Sequence, residues 1–389
     1  MDRFRNPFRP GAGTRPPALV GRDALIESFD VALRRTIDRR PGKSLMPIGL
    51  RGVGKTVLLI RFQELAAEQG VRVASIEAPE AGSLAHSLAV RLRVLLLELD
   101  RGPVSRAVGK ALATLKSFTY NLPDGSSISL NLEPLVGAAD SGLLSEDLGD
   151  LLVATGEAAA ERGTGLVISV DEVQYLTETE LSALITAIHR TVQRELPVML
   201  VGAGLPQLPG LAGAAKSYAE RLFDFPMIGS LTPADARDAL LLPVRQEHVT
   251  FTEQALDWIV GETQGYPYFL QEWGLHAWNA AATSPIDSGD IETIAHEVRR
   301  QLDENFFMVR LDRLTPAERR YLSAMASLGP GPHRSGDVAQ KLGVKVENVA
   351  PRRSALIRKG MIYSPAHGDT AFTVPLFDRF LRRRTDLGG

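Results

Sequence analysis

Residues Gly49 to Thr56 read GLRGVGKT, between the apolar run Leu45 to Ile48 and an amphipathic stretch beginning at Val57. This is a complete Walker A motif set between a strand and a helix, so the chain must build a strand that delivers a phosphate-binding turn to a helix N-terminus. Glycines let the backbone wrap a triphosphate with its N–H groups turned inward. The nucleotide-binding candidates are therefore Gly49, Gly52, Val53, Gly54, Lys55, Thr56 and Val57. Lys55 can reach the β- and γ-phosphates, and the Thr56 hydroxyl can ligate Mg²⁺.

A chain of 389 residues exceeds what one hydrophobic core organises, and two or three domains are expected. No stretch approaches the roughly 18 unbroken apolar residues of a membrane span, and the first residues (Arg3, Arg5, Pro7, Arg9, Pro10) lack the apolar region of a signal peptide. A soluble, cytoplasmic protein with no membrane partner is the expectation. Cysteine is absent, which excludes disulfides and thiolate metal sites, and the 7 histidines show no ligand spacing. Any metal is expected to arrive with the nucleotide.

The formal charge of −2 hides an asymmetry. From Ser117 to His189 the only Lys or Arg is Arg162, a face that nucleic acid should avoid. From Leu314 onward the balance reverses, with Arg319, Arg320, Arg334, Lys341, Lys345, Arg352, Arg353, Arg358, Lys359, Arg379 and Arg382 to Arg384 outnumbering the carboxylates. A basic C-terminal module points to a polyanion.

After the phosphate loop, helical and strand signals alternate as a parallel sheet requires. Val57 to Gln69 predicts a helix stopped by Gly70, Val71 to Ile76 a strand, and Leu84 to Leu99 a helix. Residues 117–132 break the rhythm. Their alternation around Pro123-Asp124-Gly125 predicts an inserted β-hairpin, read as a structural flap rather than a binding site.

Leu166 to Val170 is a buried strand that delivers Asp171 and Glu172 at its C-terminal end, the Walker B pattern. Asp171 would hold Mg²⁺ and Glu172 would orient and deprotonate the attacking water. The same pair could instead cap a helix N-terminus. Pro197 to Val201 predicts a further strand ending in Gly202-Ala203-Gly204, where a polar γ-phosphate sensor could stand and none does. Arg221 follows a helix and precedes the short strand Phe223 to Pro226. It can serve as a finger on a neighbouring subunit's γ-phosphate, or pair with Glu220 or Asp224.

This order of motifs resembles the AAA+ branch of P-loop ATPases, both its archaeal replication-initiator type and the STAND signalling ATPases. The residues carrying the resemblance are Val20-Gly21-Arg22-Asp23, GLRGVGKT, DEVQ at Asp171 to Gln174, Arg221 and Gly265-Tyr266-Pro267. The resemblance implies an α/β P-loop core with a parallel sheet, an all-α lid and a C-terminal winged helix-turn-helix. It also implies that Val20, Gly21 and Arg22 on one side, and Tyr266 and Pro267 on the other, contact the base or ribose of ATP or ADP. AAA+ motors generally carry an arginine on the third lid helix, yet no Lys or Arg lies between Gln246 and Val298. A slow ATP hydrolase, a switch rather than a motor, is the expectation.

Thr315-Pro316-Ala317-Glu318 is a capping-box helix start. Helices at Pro316 to Ser327, Gly336 to Lys341 and Val349 to Lys359, then strands at Met361 to Ser364 and Thr370 to Val374, make the winged helix-turn-helix. The expected organisation is an arm over 1–20, a core over 21–230, a lid over 231–310 and the winged module over 311–389. Arg352, Arg353, Arg358 and Lys359 on the third helix are the double-stranded DNA candidates. Two readings compete: a nucleotide-gated DNA-binding ATPase with nucleotide-dependent self-association, and a signalling ATPase whose winged helix makes protein contacts.

Overall fold

The computed structural model describes residues 1–11, 13–40, 42–79, 83–101, 104–120, 133–366 and 368–384. It divides into two compact units, one formed by Met1–Gly21, Gly49–Val57 and Ile228–Gly389, the other by Arg22–Ile48 and Leu58–Met227.

The second of these holds the parallel sheet. Its elements are α1 (Asp23–Ile37), β1 (Ser44–Leu45), α2 (Lys55–Glu68, entered from the phosphate loop), β2 (Arg72–Glu77), α3 (Leu84–Asp100), α4 (Arg106–Tyr120), α5 (Leu144–Glu161), β3 (Leu166–Asp171), α6 (Glu178–Gln193), β4 (Val198–Gly202), α7 (Leu208–Ala215), α8 (Ala219–Leu222) and β5 (Phe223–Asp224). β2, β3 and β4 run parallel in that order, with Ile76 opposite Val170 and Ser169 opposite Val201. β1 pairs parallel with β5, and Ile48, just past β1, bridges to Gly204 just past β4. β3 is buried from Leu166 to Val170, the continuous apolar run of a strand with both faces covered. Phe29 of α1 stacks on Phe62 of α2 at 4.3 Å between ring centroids. The predicted hairpin is corrected at its start: Ser117 to Tyr120 are the last turn of α4. Its remainder, 121–132, lies outside the described residues.

In the other unit, α9 (Pro233–Arg245), α10 (Glu253–Thr263), α11 (Pro267–Ala280) and α12 (Ser288–Leu302) gather round Trp273, Trp278, Leu240 and Ile259. The N-terminal arm is stitched to them. Trp278 Nε1 donates to the Asp2 carbonyl at 2.8 Å, Asn6 Nδ2 to the Leu275 carbonyl at 2.9 Å, and the Phe8 ring is buried in the same cluster. α12 continues through a π-helical stretch, Asp303–Met308, into α13 (Val309–Leu311). Then come α14 (Pro316–Ser327), β6 (His333–Arg334), α15 (Ser335–Leu342), α16 (Val346–Arg358), β7 (Ile362–Tyr363), β8 (Asp369–Phe372) and α17 (Phe377–Arg383). The three strands form an antiparallel sheet in the order β6-β8-β7, over a core of Tyr321, Met325, Leu356, Phe377 and Phe380. The capping box at Thr315 and Glu318 is formed as its sequence predicts. β6, two residues long, is too short to leave a periodic signal.

Candidate functional site

The phosphate loop takes the backbone its glycines permit: Gly52 and Gly54 sit at φ of 81° and 92°, in the left-handed region. Lys55 opens α2, is 6% exposed, and its ammonium donates to the carbonyls of Gly49 at 3.0 Å and Leu50 at 2.9 Å. A cation folded over its own loop at a helix N-terminus is the charge arrangement that receives a phosphate. Val53 is buried while Thr56 and Val57 are half-buried, and the Thr56 side chain lies beside Gly13 of the arm.

The predicted base-contacting residues divide. Gly21 lies against Leu231 and the Asp235 carboxylate, and the half-buried Val20 packs on the lid cluster. Arg22 is the N-cap residue of α1 in the other unit. Tyr266 caps α11 with Pro267 in its first turn, but its ring turns towards the C-terminal core, 6.2 Å from Phe269. Burial, then Tyr363, pushes its phenol up from the usual range.

Two neighbours of the loop escaped the sequence reading. The N–H of Tyr268 donates to the Gly52 carbonyl at 3.2 Å, its hydroxyl donates to Glu272 at 2.7 Å, and its ring stacks on Phe306 at 4.8 Å. The Arg310 guanidinium covers the other aromatic of that stack, 4.0 Å from the Phe306 centroid, and donates to the Phe306 carbonyl. Burial first, and then the like charge of Arg51, lower its pKa to about 10. Two guanidinium groups thus lie near one another at the phosphate loop. The only signal in the sequence was a Tyr immediately after a Gly-Tyr-Pro turn and an arginine at the end of the expected lid. The loop also meets the C-terminal module: Arg51 N–H donates to the Thr373 carbonyl at 2.9 Å.

In the unit with the parallel sheet, Asp171 ends β3 and its Oδ1 accepts the Glu172 N–H at 2.8 Å. Glu172 stands at φ 52°, ψ 39°, a left-handed conformation that a non-glycine residue adopts at a cost. Gln174 donates its amide to the Glu172 carboxylate and accepts the Leu205 N–H at 3.0 Å. At the end of β4, Gly202 to Gly204 carry no polar side chain, as the sequence reads. Arg221 is exposed on α8 and forms no ion pair among the described residues; Asp224 pairs with Lys43 at 3.2 Å. No cluster of metal-ligating side chains is found among the described residues.

Of the four basic candidates near the third C-terminal helix, two are spent inside the module. Arg353 donates to Thr370 Oγ1 at 3.0 Å, Ser364 Oγ at 2.7 Å and the Asp369 carbonyl at 2.9 Å, clamping α16 to the β7–β8 connection. Lys359 pairs with the buried Glu318 at 2.8 Å. The sequence shows charge but not which charges are already satisfied. Arg352 is half-buried, Arg358 is exposed, and neither forms an ion pair among the described residues.

Residues 18–201 match the model of the AAA ATPase domain family, and residues 304–381 match a family described as a domain of unknown function (DUF8462). No curated protein matches the chain. Among solved structures, the Walker-type ATPase of Pyrococcus abyssi is similar at 17% identity and a TM-score of 0.59, over 96% of this chain and 98% of that one. The Thermotoga maritima RuvB Holliday junction branch migration motor aligns over 92% of this chain and 96% of its own, at 14% identity and a TM-score of 0.47. Aeropyrum pernix Orc1, solved in complex with DNA, aligns over 96% of this chain and 94% of its own, at 17% identity and a TM-score of 0.43. Among the described residues no helix is long and apolar enough to cross a membrane.

Proposed function

We propose that this P-loop ATPase, whose residues 18–201 are an AAA ATPase domain and which hydrolyses ATP, is a slow, nucleotide-gated switch that grips double-stranded DNA through its C-terminal module. The observation that carries this reading is the hydrogen bond from Arg51 N–H, inside the phosphate loop, to the Thr373 carbonyl just past β8. A loop that must close round phosphate is tied to the module by its own backbone, so occupancy of the loop bears on the module's position.

The element order α14-β6-α15-α16-β7-β8 supports reading the module as a winged helix-turn-helix, with α16 as the groove-facing helix and the β7–β8 connection as the wing. Arg353 braces the wing, and Arg352 and Arg358 carry the DNA contact. By their motifs, Lys55 would bind the β- and γ-phosphates, Thr56 and Asp171 would each be a ligand for a Mg²⁺ that would neutralise phosphate charge, and Glu172 would serve as the base for the attacking water. Arg221, exposed and without an ion pair among the described residues, acts across a subunit boundary in a nucleotide-dependent assembly. The protein works in the cytoplasm.

The test is duplex binding by the full chain, read by fluorescence anisotropy with no nucleotide, with ADP and with ATP, over a range of salt. Affinity that falls steeply with salt and differs between nucleotides is expected. Absence of binding at low salt in every nucleotide state overturns the DNA reading and leaves the module as a protein contact.

A further inference from the structure

We infer that Gln174 is the positioning residue of the hydrolytic centre, holding the Glu172 carboxylate in place from the end of β4. The inference rests on the reading of Glu172 as the base and goes beyond it, because nothing in the Walker motifs assigns this glutamine a task.

The geometry is specific. Gln174 belongs to the single 3₁₀ turn Val173–Tyr175 that follows Glu172, and its side chain is half-buried. Its amide spans two partners whose chemistry fixes its orientation. The Leu205 N–H can only donate, so it takes the amide oxygen, at 3.0 Å. The ionised Glu172 carboxylate can only accept, so it takes the amide nitrogen. Turning the amide over would set an N–H against an N–H and an oxygen against a carboxylate. Leu205 is fully buried, so its N–H has no ready substitute partner in water.

The room for this arrangement is made by Gly204. A Cβ built there would stand 2.9 Å from Gln174 Oε1, so a side chain at that position would meet the amide. The missing polar residue at the end of β4 thus has a physical reason: the Gln174 amide occupies that place and supplies the polarity from another element. The turn is pinned to the sheet from both sides, since Val173 N–H donates to the Ala203 carbonyl at 2.9 Å and Ala203 N–H to the Val170 carbonyl at 2.9 Å.

The same contacts explain the backbone of Glu172. A left-handed non-glycine residue persists where its surroundings over-determine it. Here its N–H is taken by Asp171 Oδ1 and its carboxylate by Gln174. A base at the end of a long flexible side chain loses effectiveness if it samples several rotamers, and positioning is a large share of what such a site contributes. Gln174 removes that freedom and ties the carboxylate to the tip of β4.

The experiment compares Glu172→Gln, Gln174→Leu, Gln174→Glu and the double variant Glu172→Gln/Gln174→Leu in the full chain. Steady-state Mg·ATP turnover, equilibrium nucleotide affinity and melting temperature are measured for each. Gln174→Leu is expected to lower kcat by about tenfold or more with KM and nucleotide affinity within about twofold, the pattern of a lost transition-state interaction. In the Glu172→Gln background it should lower turnover by less than about twofold more, because the group it positions is gone. Gln174→Glu keeps an oxygen for the Leu205 N–H while facing Glu172 with an acceptor, and should lose kcat as Gln174→Leu does. It reads the same question if the leucine variant fails to fold. Wild-type kcat in either Gln174 variant, or a loss that multiplies fully with that of Glu172→Gln, overturns the inference alone. Wild-type turnover by Glu172→Gln overturns the assignment of the base, and the inference with it.

Discussion

Arg51 and Thr373 lie far apart in sequence, yet the N–H of the first donates to the carbonyl of the second at 2.9 Å. Thr373 is itself held to the turn after α16, its hydroxyl donating to the Gly360 carbonyl at 2.5 Å. The phosphate loop and the end of β8 are therefore joined through main-chain groups, which substitution does not easily remove, and the Thr373 side chain carries the link on to the end of α16. Nearby, Tyr268 binds the Gly52 carbonyl and stacks on Phe306, and Phe307 stacks on Phe380 of α17 at 5.0 Å. Two routes, one polar and one aromatic, connect the loop with the C-terminal core.

Nucleotide binding should therefore change amide exchange in the C-terminal module. Deuterium uptake over residues 369–375 is expected to differ between the nucleotide-free and ATP-bound protein, on a timescale of minutes or longer. Identical uptake in both states would separate the loop from the module.

Lys55→Ala should weaken ATP binding by about tenfold to a hundredfold or more, since a charge-assisted bond to phosphate is lost. The ammonium now rests on the Gly49 and Leu50 carbonyls, which lose a donor in the variant, so its melting temperature is measured alongside. Isothermal titration of the folded variant measures this, and unchanged affinity would remove the loop from the nucleotide site.

The Glu318–Lys359 pair makes a pH prediction. Burial works to raise the Glu318 carboxyl, but the Lys359 bond and the Thr315 backbone and side-chain bonds outweigh it, so its pKa is lowered. A carboxyl with a depressed folded pKa contributes stability that is present above its unfolded pKa, about 4.3, and is lost as pH falls through the folded value. Glu318→Gln should thus destabilise the C-terminal module by about 1–3 kcal/mol at pH 7, and by progressively less on acidification towards pH 3. Thermal melts of both proteins across that range give the difference directly. A gap that stays constant with pH would assign the loss to packing.

Local signals were legible in the sequence. GLRGVGKT specifies its own backbone through glycines, the short run at Leu166 to Val170, apolar but for Ser169, reads as a strand buried on both faces, and the capping box runs from Thr315 to Glu318. Partners distant in sequence were not. Tyr268 bonds to Gly52, 216 positions away, and Gln174 to Leu205, 31 positions away, and no periodicity records such pairings. The engagement of charges was hidden for the same reason. Arg353 and Lys359 look like surface cations until the fold sets Thr370, Ser364 and Glu318 beside them.

Arg221→Ala should reduce specific activity only where the protein self-associates. An exposed arginine without an ion pair contributes little to folding, so its loss should appear in turnover and not in melting temperature. A finger supplied across a subunit boundary is worth roughly 10³-fold or more. Specific activity measured against protein concentration tests this, with wild type rising and the variant flat. Coincident curves would leave Arg221 without a catalytic task.

Among the described residues, Arg352 and Arg358 are positive charges of α16 that form no ion pair. Replacing both with alanine should weaken duplex binding and shallow the slope of log affinity against log salt by about one to two units, since each phosphate contact releases condensed counterions. Arg353→Ala should behave differently. It removes three hydrogen bonds that hold the β7–β8 connection to α16, so it should lower the melting temperature of the module along with DNA affinity. The comparison separates contact from support: a double variant that melts like wild type but binds weakly identifies contacting residues, whereas one that binds like wild type moves the DNA surface off α16.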